Sequence, residues 1–438
     1  MNSAVPARWR AIGALTAVSA FTQIGQFGIG FMVLPVWLAH QGLDAPRAGL
    51  FSAVQWAGMF TGLLSAPRLV ERFGARRTVL LALAATVIAF ASIRALTWPL
   101  WIVPGFLIGL GMGLRWIANE TWLYRLVPAD ASGRVVGMHE ALIAVAGVIG
   151  PALAAWCGVD GPIIFIAGAA CTFAAAVPLW LAGSDAPDDA NTQSSQLARA
   201  SGAHEVPDEV PDEVPDEVPE ETESDEAADA LQAARSAQHA ASRQANGIAP
   251  LIALGMVVVV VGGLGDGALF GLFPLFANGR GLSVTQTATV LTCFGVGGMV
   301  LQFPVGWLAD RTGLPTAVVF CAAISALSIV SFGLAAPTSW LLSASALLLG
   351  GLNSAFLTLG VYAAASSAKA ALIRNMRLIS LTFCASSIVG PLLAGFAMKA
   401  LGNDMLIWQL ALASGALAVY TLGRLEGRRQ PRGASSTS

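Results

Sequence analysis

The chain has 438 residues, of which 55% are hydrophobic and 11% charged, with a mean hydropathy of +0.69. A soluble domain carries about 25% charged residues, so the composition excludes a water-soluble enzyme or nucleic-acid-binding protein and implies an integral membrane protein. The net charge of −2 conceals two populations: residues 184–246 hold 16 acidic and 3 basic side chains, and the remainder holds 21 basic and 10 acidic.

Twelve helix-sized apolar blocks follow one another, at 11–39, 46–67, 77–97, 99–124, 135–157, 161–182, 248–277, 284–307, 315–335, 339–363, 372–397 and 404–424. Each supplies roughly the 20 residues that cross a hydrocarbon core of about 30 Å. The runs are continuous, without the alternation of barrel strands, so an all-α membrane protein is predicted. The first block follows Arg8 and Arg10 and stays apolar through Leu38. That is well beyond a signal core of roughly 7–15 residues, so it reads as an uncleaved span.

Taken in order, span one carries a polar stripe of Gln23, Gln26, Phe27 and Gly30. Span four combines a glycine cluster (Gly105, Gly109, Gly111, Gly113) with Arg115, Trp116, Asn119, Glu120 and Tyr124. At 1.5 Å per residue, Arg115 lies about 15 Å and Glu120 about 7 Å above the end of that helix near Arg125. Arg115 and Asn119 share one helix face, and Trp116, Glu120 and Tyr124 the next. Span five brings His139 and Glu140 to the depth of Glu120, where they read as gate or interface residues, followed by Gly150-Pro151.

The stretch from Gly183 to Gly247 breaks the helical pattern. It holds four tandem tetrapeptides from Val206-Pro207-Asp208-Glu209 to Val218-Pro219-Glu220-Glu221. A proline at every fourth position and mutual carboxylate repulsion predict a disordered acidic tether, with an Ala-rich stretch at 225–245 able to form a short helix. Three regions follow: 1–183, a linker at 184–247, and 248–438. Span seven carries Asp266 among Gly262, Gly263, Gly265 and Gly267, and span ten carries Asn353.

The second region repeats the first. Leu34-Pro35 returns as Phe273-Pro274 and Gly42-Leu43 as Gly281-Leu282, each 239 residues on. Leu69-Val70-Glu71-Arg72-Phe73-Gly74 returns as Leu308-Ala309-Asp310-Arg311-Thr312-Gly313, and Gly150-Pro151 as Gly390-Pro391. A register kept over a whole half indicates a duplicated unit, and paired helical bundles commonly hold a solute site between them.

Charge sets the topology. With the N-terminus inside, sixteen Lys and Arg fall on the cytoplasmic side, and only Arg47, Arg94, Arg280 and Lys399 on the other. Both termini and the linker are therefore expected in the cytoplasm, with the chain in the inner cell membrane. The five cysteines lie singly in apolar segments without metal-ligand spacing and read as packing residues.

Gly306-Trp307-Leu308-Ala309-Asp310-Arg311-Thr312-Gly313 resembles the cytoplasmic loop signature of the major facilitator superfamily of secondary transporters. The first-half copy is weaker, with Pro67 for the opening glycine and Glu71 for the aspartate. Ala146-x-x-x-Gly150-Pro151-x-x-Ala154-Ala155 is similar to the antiporter-associated motif of span five, and span eleven echoes it around Gly390-Pro391. The family's arginine motif early in span four is missing. The resemblance implies two pseudo-symmetric six-helix bundles, with spans one, four, seven and ten lining a central cavity. It also implies a conformational latch: Asp310 and Arg311 at the start of span five near Arg134, and Glu71 and Arg72 at the start of span eleven near Arg374 and Arg377.

Charged groups in a bilayer interior cost about 2.5–3.5 kcal/mol on insertion scales and usually face a cavity. Gln23, Gln26, Arg115, Asn119 and Asn353 are the expected cavity set, and Glu120, Glu140 and Asp266 the expected proton-coupling set. Trp56, Trp116 and Trp122 are expected on the cavity wall. The only lysines, Lys369 and Lys399, follow no phosphate-binding loop, and no cofactor or metal motif is present. The expected function is transport of a small organic solute, proton-coupled and weakly favouring export. Uptake of a carboxylate-bearing solute held by Arg115, and a membrane sensor signalling through the acidic linker, stand as alternatives. The expected partners are the solute, protons and lipid, with the chain acting as a monomer.

Overall fold

The computed structural model describes residues 4–127, 132–182, 223–337, 339–366 and 369–429, and the described residues are helical with no strand. Span one comprises Ala4–Thr22, Gln23–Val33 and Leu34–His40. Spans two to six are Ala45–Phe73, Ala75–Ser92, Ile102–Leu126, Ser132–Cys157 and Ile163–Ala174 with Ala176–Leu181. Spans seven to twelve are Glu223–Gly279, Val284–Thr312, Leu314–Leu334, Trp340–Ala365, Lys369–Leu401 and Met405–Arg429. Eleven described helices are long and apolar enough to cross a membrane. The exception is span two, whose interior is diluted by Ser52, Gln55 and Thr61.

The Ala-rich stretch expected to form a short helix at 225–245 lies within a longer one. Glu223–Gly279 is one helix of 57 residues, so residues 223–247 run unbroken into span seven. The Ala-rich composition favours helix there, and the last tandem proline, Pro219, precedes its start. Residues 183–222 lie outside the described residues.

The duplication is visible in local geometry. Gly42 and Gly281 end spans one and seven with φ of 81° and 74°, and Gly74 and Gly313 both turn at φ 81°. Glycine carries no steric penalty in that region. Asp44 and Ser283 cap the next helices at the same offset, each side chain accepting from the backbone N–H three residues on. A polar pair also joins loops in each half: His40 with Asp160 in one, Arg280 with Asp404 in the other.

Within each half, small residues bring backbones together. A Cβ on Gly109 would overlap the Gln55 carbonyl, joining spans two and four, and one on Gly297 would overlap the Leu347 carbonyl, joining spans eight and ten. The glycines of span seven serve the same end: Gly263 and Gly267 abut the Phe383 and Ser387 carbonyls of span eleven. Close approach of this kind replaces the hydrophobic drive that lipid does not supply.

Between the halves, contacts gather toward the turns at 41–44 and 280–283. Ser52 Oγ donates to the Gly267 carbonyl at 3.2 Å. Gly49 meets the Pro391 carbonyl, and Gly395 meets Ala45. At the opposite end, Glu71, Arg72, Asp310, Arg311, Arg374 and Arg377 are all exposed. Among the described residues, none of these six is in an ion pair. The side chain of Arg134, the expected partner of Asp310, lies outside the described residues.

Candidate functional site

A cavity of about 450 Å³ lies between the halves. It reaches Glu140, Gln302, Thr358 and Val361, so it extends toward the end that bears the loop-signature residues. Its walls carry Gln23, Arg115, Glu120, Glu140 and Asp266 among aromatic and Met side chains.

Span one positions its residues through an unexpected element. Gln23–Val33 is a π-helix, in which each N–H reaches five residues back and the turn widens. An α-helical stripe of Gln23, Gln26 and Phe27 is therefore split. Gln23 and Phe27 line the cavity, whereas Gln26 is fully buried and donates to Thr86 Oγ1 of span three at 2.8 Å.

The polar centre sits where spans one, four and five meet. Arg115 donates from Nε to Gln26 Oε1 at 3.4 Å and from Nη1 to Ser19 Oγ at 3.3 Å. Asn119 Nδ2 donates to the same hydroxyl at 2.8 Å and to the Leu15 carbonyl at 3.0 Å. Ser19 in turn donates to Glu120 Oε1 at 3.2 Å. One hydroxyl thus uses its single donor and both acceptor sites, and it links Arg115 to Glu120 where a direct intrahelical pair is geometrically poor.

Glu120 is held from the other side by His139. Nε2 lies 2.9 and 3.0 Å from the two carboxylate oxygens, and Nδ1 lies 3.2 Å from Thr16 Oγ1. His139 is completely buried and Glu120 is 8% exposed. Of the gate and interface roles expected for His139, the contact is of the interface kind: one turn of span five faces span four, and the imidazole closes the Glu120 network. Glu140 stays exposed on the cavity wall, receiving the Tyr124 hydroxyl at 3.4 Å.

In the second half, Asp266 also lines the cavity, and Asn353 Nδ2 donates to its Oδ1. Gly265 leaves the space that Asn353 occupies. Asn353, Asn119 and Gln26 therefore stand behind the wall as supports, apart from the lining residues Gln23 and Arg115. Trp56 and Trp116 line the cavity; Trp122 instead packs in a separate apolar cluster with Ile12 and Leu15. Its hydrophobic neighbours on spans one and three turn it away from the solvent path.

Ser19 and Thr16 were absent from the expected site, and His139 was expected only as a gate or interface residue. The signal was present in Thr16, Ser19, Gln23 and Gln26, which recur at three- and four-residue spacing along span one. Ser and Thr are common in membrane helices as backbone-bonding residues, so only their cross-helix partners reveal the role.

Two six-helix bundles around a polar cavity define a membrane carrier, and the chain belongs to the Major Facilitator Superfamily, which it matches over residues 15–258 and 255–437. It is 22% identical over 395 residues to an MFS-type transporter of Enterobacter sp. (strain 638), covering 86% of this chain and 87% of that protein. Among solved structures it resembles a mutant of the nucleoside transporter NupG at a TM-score of 0.68 and 12% identity, covering 94% and 99% of the two chains. A D-xylose–proton symporter superposes at 0.62 with 14% identity, over 94% and 96%. At these identities the structural likeness carries the fold alone.

Proposed function

We propose that the protein is a secondary active transporter that moves a small organic solute by alternating access, with proton coupling and net export. The observation that carries the reading is the Glu120–His139 contact, a buried acid–base pair with its carboxylate on the cavity wall. An ionised Glu120 accepts charge-assisted hydrogen bonds from Ser19 and His139; a proton on it weakens that set and loosens spans one, four and five from one another. Proton occupancy and conformation are then linked through their differential interaction.

The strong positive-charge bias of the end bearing the termini supports a cytoplasmic placement for it in the cell membrane. The cavity then faces the cytoplasm, as an exporter's loading state does. The motif around Gly150-Pro151, echoed at Gly390-Pro391, supports the same direction. Uptake of a carboxylate solute on Arg115 has less support, because Gln26 and Ser19 already engage its guanidinium. A scaffold has no need of a buried ionisable network that opens on a cavity.

The test is reconstitution of the full chain in liposomes holding a pH-sensitive dye, challenged with a panel of metabolites and drugs. Solute-driven proton movement that Glu120→Gln abolishes is the expected result. Binding of a panel member with no proton movement in either protein would leave the sensor reading standing.

A further inference from the structure

Asp266 is the carboxylate that the network leaves over. Glu120 is shared by Ser19 and His139, and Glu140 receives Tyr124, but Asp266 has only the neutral Asn353 amide as its described partner. Among the described residues no cationic side chain pairs with it. Among the described residues the single cation on the cavity wall, Arg115, is held against the first half by Gln26 and Ser19. One arginine therefore faces three carboxylates, with Asp266 alone on the opposite wall.

The surroundings of Asp266 are aromatic. Phe270 stands one turn along span seven and meets Phe27 edge to face at 5.5 Å. Trp56 and Phe383 form a second edge contact at 6.0 Å. Ring faces attract cations, and their apolar area binds the body of a hydrophobic solute. Met32, Met59, Met112 and Met299 complete the lining, and flexible thioethers adapt to solutes of varied shape. A cavity of about 450 Å³ lies within the range of about 300–1,000 Å³ that suits a drug-sized ligand.

We infer that the solute of this carrier is an amphipathic aromatic cation, anchored by Asp266 on span seven and enclosed by Phe27, Phe270 and Trp56. The inference rests on the transporter reading and names its substrate class. Asn353 is a positioning residue that fixes the carboxylate rotamer and leaves its second oxygen for the solute. A carboxylate partly withdrawn from water is kept ionised by a partner of opposite sign, and the cation supplies it.

Two probes of the same shape and opposite charge separate the terms: tetraphenylphosphonium and tetraphenylborate. Equilibrium binding to the purified full chain should show tetraphenylphosphonium bound and tetraphenylborate excluded. Asp266→Asn should weaken phosphonium binding at least about tenfold, since a desolvated charge loses its partner. Asp266→Glu, which keeps the charge, should restore most of it and guards against a folding defect. Preferential binding of the borate, no phosphonium binding, or equal affinity in wild type and Asp266→Asn would each overturn the cationic class. Proton flux driven by an anionic or neutral solute would do the same while leaving the transporter reading intact.

Discussion

His139 Nε2 stands 2.9 Å from Glu120 Oε1, although 19 residues and a change of span separate them. The contact ties span five to span four at the wall of the central cavity, and Thr16 and Ser19 bring span one to the same point. Three helices of one half thus meet on a single carboxylate. A change in its charge is felt by all of them at once, as a switch linking protonation to helix packing requires.

Glu120→Gln keeps the shape and removes the charge. Proton-coupled movement should be lost in proteoliposomes, while exchange of solute across the membrane without a gradient should persist. Retention of full concentrative transport with its dependence on the pH gradient would assign Glu120 to packing and move attention to Glu140 and Asp266.

Ser19→Ala removes the hydroxyl that joins Arg115, Asn119 and Glu120. Leaving buried polar groups short of a partner costs about 1–3 kcal/mol, so the melting temperature of the detergent-purified protein should fall by several degrees. Ser19→Thr, which retains the hydroxyl, should recover part of the loss. A melting curve for Ser19→Ala identical to wild type would show that water replaces the hydroxyl at no cost.

Gly150→Val tests close packing at the span-five motif. A Cβ at Gly150 would overlap the backbone of Gly28 in the π-helical part of span one. Overpacking of this kind costs about 1–3 kcal/mol or more, and separating the two backbones would also displace Gln23 and Phe27 from the cavity. Reduced yield of monodisperse protein is the expected outcome. Normal yield and transport would mean that the two helices part without penalty.

Asp310→Asn probes the latch that the loop signature implies. Asp310 is exposed and is in no ion pair among the described residues, so expression and thermal stability should stay near wild type. Transport should slow, because a charge-assisted contact belonging to the opposite conformer would be lost. A transport rate equal to wild type would reduce the loop to a topology signal.

Much of the architecture was legible in the sequence because lipid imposes a simple rule: every backbone polar group must be satisfied within its own segment. Apolar length then marks a helix, and a repeated register marks a duplicated bundle. The turns at Gly42 and Gly281, or at Gly74 and Gly313, could be paired from residue identity, since positive φ favours glycine. The polar residues of spans four, five and seven stood out for the cost of placing them in lipid. Arg115, Glu120, Glu140 and Asp266 all reach the cavity wall.

What composition and periodicity determined was therefore the class of protein, its two halves, and a short roster of residues too polar for lipid. The tertiary structure decided which of them act together. The wide turn of the π-helix sends Gln26 away from Gln23, and a repeat of 3.6 residues contains no hint of it. The pairing of His139 with Glu120, through Ser19 to Arg115, depends on the rotation of three helices about their own axes. Rotation is set by the side chains packed between helices rather than by any one helix. Single-chain periodicity carries no record of it, and only the folded bundle does.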